Sequence, residues 1–110
     1  MLVRPRTVHV YATANETLPF NEWMRDLKDQ IGKAAIDSRV ALLRNGSLGK
    51  KYEDIGDGLI ELKVDSGPGY RIYIADDGKN SLIMCAGPKK TQKRDIKAAK
   101  AYWKDYKARG

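Results

Sequence analysis

The chain has few cysteines, histidines and prolines, and it lacks a long hydrophobic run. Its 110 residues include one cysteine, one histidine and four prolines. The lone Cys85 excludes a disulfide framework, and its place in the apolar run 81–86 predicts a buried, inert thiol. No stretch approaches the roughly eighteen apolar residues of a membrane span, and residues 1–6 are not followed by the apolar part of a signal peptide. We therefore expect a cytoplasmic protein that does not insert into a membrane.

Metal ligands and phosphate-loop glycines are equally scarce. His9, the single histidine, cannot by itself make a two-histidine nuclease site, and its position on a predicted strand favours a structural role. No cysteine and histidine spacing is typical of a zinc site, and the glycines of residues 67–69 are better explained as a turn. The sequence therefore predicts no metal and no other cofactor.

The chain does have an excess of positive charge, and all of it lies at one end. The formal net charge is +7. Residues 1–88 carry twelve basic and twelve acidic side chains, whereas residues 89–110 carry nine basic side chains against Asp95 and Asp105. Such a segment is suited to nucleic acid, an anionic membrane surface or an acidic protein. A solvated helix face that aids solubility explains the same charge.

The hydrophobic pattern predicts one domain over residues 1–110 with helices in its first half. An apolar stripe predicts a first helix from Pro19, and Gly32 interrupts it before a second helix that ends at Asn45 and Gly46. The first stripe consists of Phe20, Trp23, Met24, Leu27 and Ile31, and the second helix contains Ala35, Ile36, Arg39, Val40 and Leu43. We expect the two helices to form a hairpin.

The second half of the chain has the period of strands. Residues 60–64 and 70–74 alternate in polarity on either side of the turn at residues 67–69, which predicts a β-hairpin. The continuous apolar run 82–86 is typical of a strand buried on both faces, and residues 7–11 predict a short first strand. Helices and strands in separate blocks indicate an α+β fold.

The register of this hairpin can be predicted if one face of the sheet is buried. The register that matches apolar residues pairs Val64 with Tyr70, Leu62 with Ile72 and Ile60 with Ile74. It places Lys63 opposite Arg71, and Glu61 opposite Tyr73, on the other face. Two facing cations repel each other in the absence of an anion, so the pair favours a bound phosphate. Neutralisation of Lys63 by Glu61 or Asp65 on a solvated face is the alternative.

A final helix is predicted from Thr91, as its N-cap, to the end of the chain. At about 100° per residue, its apolar residues and its lysines occupy separate sectors. The apolar sector contains Ile96, Ala99, Tyr102, Trp103 and Tyr106, and the lysine stripe contains Lys93, Lys97, Lys100, Lys104 and Lys107. A plain amphipathic helix accounts for this stripe as well as a nucleic-acid surface does.

The start of the final helix has the composition of an anion site. Lys93 and Arg94 lie in the first turn, where the helix dipole disfavours cations by a few tenths of a kcal/mol. A phosphate bound there, near Lys89 and Lys90, would reverse that sign. RNA cleavage by the neighbouring 2′-hydroxyl needs a base, an acid and charge stabilisation at phosphorus, all of which Lys, Arg and Glu side chains can supply without a metal.

Five motifs occur in an order that is specific in combination. They are Phe20-x-x-Trp23 to Leu27 and the segments 46–49, 58–63, 67–73 and 87–92. Over about residues 15–106, the chain resembles the HigB-like branch of the RelE/ParE toxin superfamily, often called addiction-module killer proteins. The resemblance implies an N-terminal helical hairpin packed on a small, twisted, mainly antiparallel sheet, with a C-terminal helix.

The resemblance also implies a function. It predicts the toxin of a type II toxin–antitoxin system, which inhibits translation by metal-independent mRNA cleavage, in many members on the ribosome. The expected partners are mRNA, the ribosome and a cognate antitoxin, usually a helix-turn-helix protein, and the free toxin is expected to be a monomer. By position, Lys63 matches a sheet lysine of the cleavage site, Arg71 the phosphate-stabilising arginine, and Lys89 a basic residue of the loop before the last helix.

Two positions depart from the family pattern. RelE-like nucleases often carry a lysine where this chain has Glu61, and they tend to have a tyrosine where it has Arg94, Asp95 and Ile96. Glu61 is therefore a candidate base, and the general acid stays open. The predicted catalytic residues are Lys63, Arg71, Lys89 and Glu61, and the predicted RNA contacts are Tyr73, by base stacking, with Lys90, Lys93, Arg94, Lys97 and Lys100.

Two other functions fit the same sequence. A non-enzymatic toxin of the ParE kind shares the expected fold and poisons DNA gyrase by binding it. A basic nucleic-acid-binding module without catalysis needs only the lysine stripe.

Overall fold

The computed structural model describes residues 4–109, which form an α+β fold with a five-stranded sheet and helices on both of its faces. The elements are β1 (Thr7–Val10), α1 (Pro19–Asp26), α2 (Gln30–Arg44), β2 (Tyr52–Gly56), β3 (Leu59–Val64), β4 (Tyr70–Asp76), β5 (Asn80–Pro88) and α3 (Gln92–Ala108). One turn of 3-10 helix, Lys89–Thr91, joins β5 to α3. The expected fold class is confirmed.

The strand order is β1-β5-β4-β3-β2, in which β1 runs parallel to β5 and the other neighbours are antiparallel. The predicted hairpin register is confirmed, with Val64 opposite Tyr70, Leu62 opposite Ile72 and Ile60 opposite Ile74. Lys63 therefore faces Arg71, and Glu61 faces Tyr73. The alternating apolar residues determine this register because a shift by one residue would turn them all away from the core.

Apolar clusters cover both faces of the sheet. The first lies under α1 and α2 and includes Phe20, Ile36, Val40, Leu43, Leu62, Val64, Ile72, Ile74 and Ile83. The second lies under α3, whose Ala99 is fully buried, and includes Leu59, Tyr73, Ala75, Met84 and Cys85. The alternative of a solvated face around Lys63 and Glu61 therefore does not hold where α3 lies, because the apolar sector of that helix packs on the same surface.

The boundary between the first two helices differs from the prediction. Helix α1 ends at Asp26, and the expected stripe residue Ile31 belongs to α2, where it is 79% exposed. Asp29 accepts a 3.0 Å hydrogen bond from the Gly32 amide and so caps the new helix. Gly32 does not break the helix. A Cβ there would lie 2.6 Å from the Tyr70 ring, so the glycine allows close packing.

Strand β2 was missing from the prediction. It is an edge strand, and of its five residues only Ile55 is partly buried. A strand with so little buried surface has no alternating apolar pattern to detect.

Two exclusions follow from burial and helix length. Cys85 is buried as predicted, and burial raises the pKa of its thiol to about 12, so the reactive thiolate is scarce at neutral pH. No helix within residues 4–109 is long and apolar enough to cross a membrane.

Candidate functional site

A cleft lies where the turn between β3 and β4 meets the segment before α3. It has a volume of about 390 Å³ and is lined by Asp65, Ser66, Gly67, Pro68, Gly69, Arg71 and Lys89. The Lys89 amide donates a 2.9 Å hydrogen bond to the Gly69 carbonyl and so ties the two segments together. Gly69 has a φ of +84°, a conformation that favours glycine. We call this site the turn cleft.

Arg71 is the most buried charged residue that lines the turn cleft, with only 7% of its surface exposed. It lies on β4 between Lys63 on β3 and Gly87 on β5. Its Nη1 donates a 3.0 Å hydrogen bond to the Tyr70 carbonyl, whereas its Nε has no hydrogen-bond partner. A largely desolvated cation that lines a cleft favours the binding of an anion.

Glu61 lies beside Arg71 but is enclosed, with 0% of its surface exposed. Its Oε2 accepts a 2.7 Å hydrogen bond from Gln92 Nε2 at the start of α3. Its Oε1 lies 3.7 Å from Arg71 Nε, which is close enough for an ion pair but too long for a hydrogen bond. In this arrangement Glu61 cannot reach an RNA hydroxyl, contrary to the candidate role as a base. It is placed to hold the Arg71 guanidinium.

Tyr73 is also enclosed beneath α3. Its side chain has no exposed surface, and its hydroxyl has no hydrogen-bond partner. Burial raises the pKa of Tyr73 well above its ordinary value, and the negative charge of Glu61 adds to this effect. The predicted base-stacking contact is not available to Tyr73 here, because α3 covers the ring.

Lys63 is half-buried beside Arg71 but does not line the turn cleft. Its backbone is held firmly. The Lys63 amide donates to the Lys51 carbonyl at 2.9 Å, and its carbonyl accepts a 3.4 Å hydrogen bond from Arg39 Nε. Arg39 Nη2 also donates to the carbonyls of Leu48 and Lys51, at 2.5 and 3.1 Å. Arg39 thereby links α2 and the following loop to the backbone of Lys63.

A second cleft, which we call the helix cleft, lies on the first turns of α3. It has a volume of about 520 Å³ and is lined by Lys90, Thr91, Lys93, Arg94 and Lys97. Four of these five residues are cationic, and Lys100 is exposed one turn further along the helix. The turn Lys89–Thr91 separates the two clefts, since Lys89 lines one and Lys90 the other. The five cations that were predicted to contact RNA therefore lie together. The sixth predicted contact, Tyr73, is enclosed elsewhere, beneath α3.

The start of α3 is seated directly on β5. Thr91 occupies the N-cap position as predicted, but its hydroxyl makes no capping hydrogen bond and lies 2.6 Å from Asp95 Oδ2. The buried Asp95 carboxylate packs against Gly87, where an added Cβ would be 2.1 Å from Asp95 Oδ2. Gly87 faces Arg71 across the sheet. Gly87 thus neighbours both Asp95 of α3 and Arg71 of β4.

Sequence reasoning missed three residues of this site. Arg39 was assigned only to a helix, Gln92 was part of a motif without a role, and Asp65 was considered only as a neutralising charge on a solvated face. One signal could have pointed to Asp65. It comes just before the turn at residues 67–69, and this turn is part of a motif that carries the family resemblance. The contacts of Arg39 and Gln92 cross between distant elements, so no local pattern marks them.

Another hollow, of about 410 Å³, lies at the far end of β4 and β5. Its lining includes His9, Asp77, Trp103 and Tyr106. The exposed His9 is therefore remote from the predicted catalytic residues. Between residues 4 and 109, no group of three or more His, Cys, Asp or Glu side chains is placed to hold a metal ion.

Comparison with known proteins shows the family of this chain but not its activity. A family model described as Phage derived protein Gp49-like (DUF891) matches residues 22–104, a range that contains both clefts. The chain is also 40% identical over 85 residues to an uncharacterized protein of Haemophilus influenzae, and the match covers 76% of this chain and 85% of that protein. No solved structure matches the chain significantly.

Proposed function

We propose that this chain, which belongs to the Gp49-like family within the RelE/ParE-like toxin superfamily, is a toxin that inhibits translation by cutting mRNA on the ribosome. The observation that carries the proposal is the largely buried Arg71 guanidinium, which is paired with the enclosed Glu61 and lines the same cleft as Lys89. Desolvated donors of this kind stabilise negative charge strongly.

The proposed reaction is attack of an RNA 2′-oxygen on the adjacent phosphorus. The bond from phosphorus to the 5′-oxygen breaks, which leaves a 2′,3′-cyclic phosphate and a 5′-hydroxyl. Negative charge grows on the phosphoryl oxygens in the transition state, and Arg71 and Lys89 are the two cations of the turn cleft that can stabilise it. Lys63, on the strand next to Arg71, adds positive potential.

Glu61 has a supporting role in this proposal. Its enclosed carboxylate lies 3.7 Å from Arg71 Nε and is held from the other side by Gln92. A fixed counter-charge limits the orientations of the guanidinium, so Arg71 meets the phosphate with little reorganisation. We therefore class Glu61 as a positioning residue.

The proposal extends to partners. We assign the chain to the HigB-like toxins, with a helix-turn-helix antitoxin that neutralises it, and a role on ribosomes places it in the cytoplasm. The helix cleft and the lysine stripe of α3 serve as the docking surface for RNA, because their exposed cations match a phosphate backbone. The expected free toxin is a monomer.

The test is expression of the chain alone and together with its genomic neighbour, followed by mapping of the 5′ ends of cellular mRNA. The expected result is growth arrest with new mRNA 5′ ends, and loss of both when the neighbouring gene is co-expressed. Gyrase-linked DNA breaks with intact mRNA would instead favour a ParE-like toxin. Salt-sensitive RNA binding without cleavage on programmed ribosomes would leave only a nucleic-acid-binding module.

The lysine stripe makes a separate prediction about salt. Replacing Lys93, Lys97 and Lys100 together with glutamine is expected to weaken RNA binding and to reduce the slope of log affinity against log salt. The slope should fall by about 0.7 for each phosphate of single-stranded RNA that is no longer neutralised, or about 2 in total. The matched control replaces the exposed Lys28, Lys50 and Lys79, which lie outside the stripe. An equal fall in slope in the control would reject the stripe as the RNA surface.

A further inference from the structure

Asp65 is the one carboxylate among the residues that line the turn cleft. It follows the last residue of β3, and its side chain is 58% exposed. Its carboxylate forms an ion pair with the ammonium group of Lys51, which is also exposed. Asp65 therefore shares one cleft with Arg71 and Lys89, but it is accessible where Glu61 is not.

A negative charge in this cleft opposes the function of its neighbours. A carboxylate repels the phosphate that Arg71 and Lys89 attract, so Asp65 lowers the affinity of the cleft for a phosphate. Asp65 offsets this loss of phosphate affinity if its carboxylate serves as the proton acceptor of the reaction. Of the titratable side chains in the cleft, two are cations that have no lone pair free at neutral pH, which leaves Asp65 to accept a proton.

The neighbours of Asp65 keep it ionised. The hydrogen bond from Lys51 and the positive charge of that group lower the pKa of Asp65 below its ordinary value, and the charges of Arg71 and Lys63 add smaller effects in the same direction. These three cations belong to different segments, since Lys51 precedes β2, Lys63 lies on β3 and Arg71 lies on β4. The base is thus in its reactive form throughout the neutral pH range.

We propose that Asp65 is the general base of the RNA cleavage, and that Lys51 is a positioning residue that holds its carboxylate in the turn cleft. This inference rests on the proposed function. Asp65 takes the proton of the 2′-hydroxyl while the 2′-oxygen bonds to phosphorus and the bond to the 5′-oxygen breaks. The Lys89 ammonium gives a proton to the departing 5′-oxygen. Water then returns a proton to Lys89 and accepts one from Asp65, which restores both groups.

The first experiment compares Asp65→Asn with the unmodified chain in single-turnover cleavage of mRNA on programmed ribosomes. The expected result is a rate at least about 100-fold lower, with RNA binding unchanged or tighter because a repulsive charge is gone. Asp26→Asn is the matched control, since Asp26 is an exposed carboxylate paired with Arg25 on α1. It should cleave at the unmodified rate.

The second experiment uses the pH dependence of the rate. Lys51→Met removes the group that lowers the pKa of Asp65, so the rate should begin to fall at a higher pH on acidification than it does for the unmodified chain. A merely structural ion pair would leave the acid side of the pH–rate profile in place. In the double variant with Asp65→Asn, this shift should disappear.

The outcomes separate the two proposals. Full cleavage by Asp65→Asn, or an equal loss of RNA binding and rate, overturns the role of Asp65 while leaving mRNA cleavage in place. Failure of the unmodified chain to cleave mRNA with or without ribosomes rejects the proposed function itself.

Discussion

Replacing Arg71 with alanine is expected to lower the rate of mRNA cleavage by at least about 100-fold and to destabilise the fold. The loss of rate follows because Arg71 is the buried donor of the turn cleft. The loss of stability follows because Glu61, with no exposed surface, would lose its counter-charge. Removing one member of a buried ion pair costs about 3–5 kcal/mol. Single-turnover cleavage and denaturant unfolding measure the two effects.

A double variant separates chemistry from folding. Glu61→Gln combined with Arg71→Met removes both charges and fills similar volume, so most of the lost stability should return. Cleavage should stay at the level of the single variant. If the double variant recovered its rate together with its stability, Arg71 would be structural and would not stabilise the phosphate. Arg25→Ala is the control, because that arginine is exposed on α1 and paired with its neighbour Asp26.

Replacing Gly87 with alanine is expected to destabilise the protein by about 3 kcal/mol or more. The new Cβ would lie 2.1 Å from Asp95 Oδ2 and 3.0 Å from Asp95 Cγ, far inside normal contact distances. Asp95 is buried on the first turn of α3, so the helix has to move away from β5. That movement would also displace Lys89 and Gln92, and cleavage should fall with stability. Denaturant unfolding and the cleavage assay are the measurements.

Two variants make the Gly87 prediction specific. Adding Asp95→Ala to Gly87→Ala removes the clashing carboxylate, so the pair should be more stable than Gly87→Ala alone. Gly78→Ala is the control, since a Cβ there meets nothing within 4 Å and only its φ of +91° opposes the change. A Gly87→Ala variant as stable as the unmodified chain would mean that α3 is not seated on β5 as observed.

The parts of the fold that sequence could predict are those with an alternating or continuous apolar pattern. The register of β3 and β4 follows from residues 60–64 and 70–74 because only one alignment matches their apolar side chains. The exposed strand β2 has no such pattern. The start of α2 depends on the cap from Asp29, whose side chain also accepts a 2.6 Å hydrogen bond from the distant Tyr70 hydroxyl. No local sequence pattern predicts the contact between Asp29 and Tyr70.

For the candidate site, the sequence by itself determined which cations are near one another in the sheet, since register alone puts Lys63 opposite Arg71. Only the tertiary structure decided which side chains a ligand can reach. Helix α3 packs over the face that carries Glu61 and Tyr73, so these two are enclosed, while Asp65 stays open at the end of β3. The physical reason is that accessibility depends on which distant element covers a strand, whereas register depends only on the alternation of its residues.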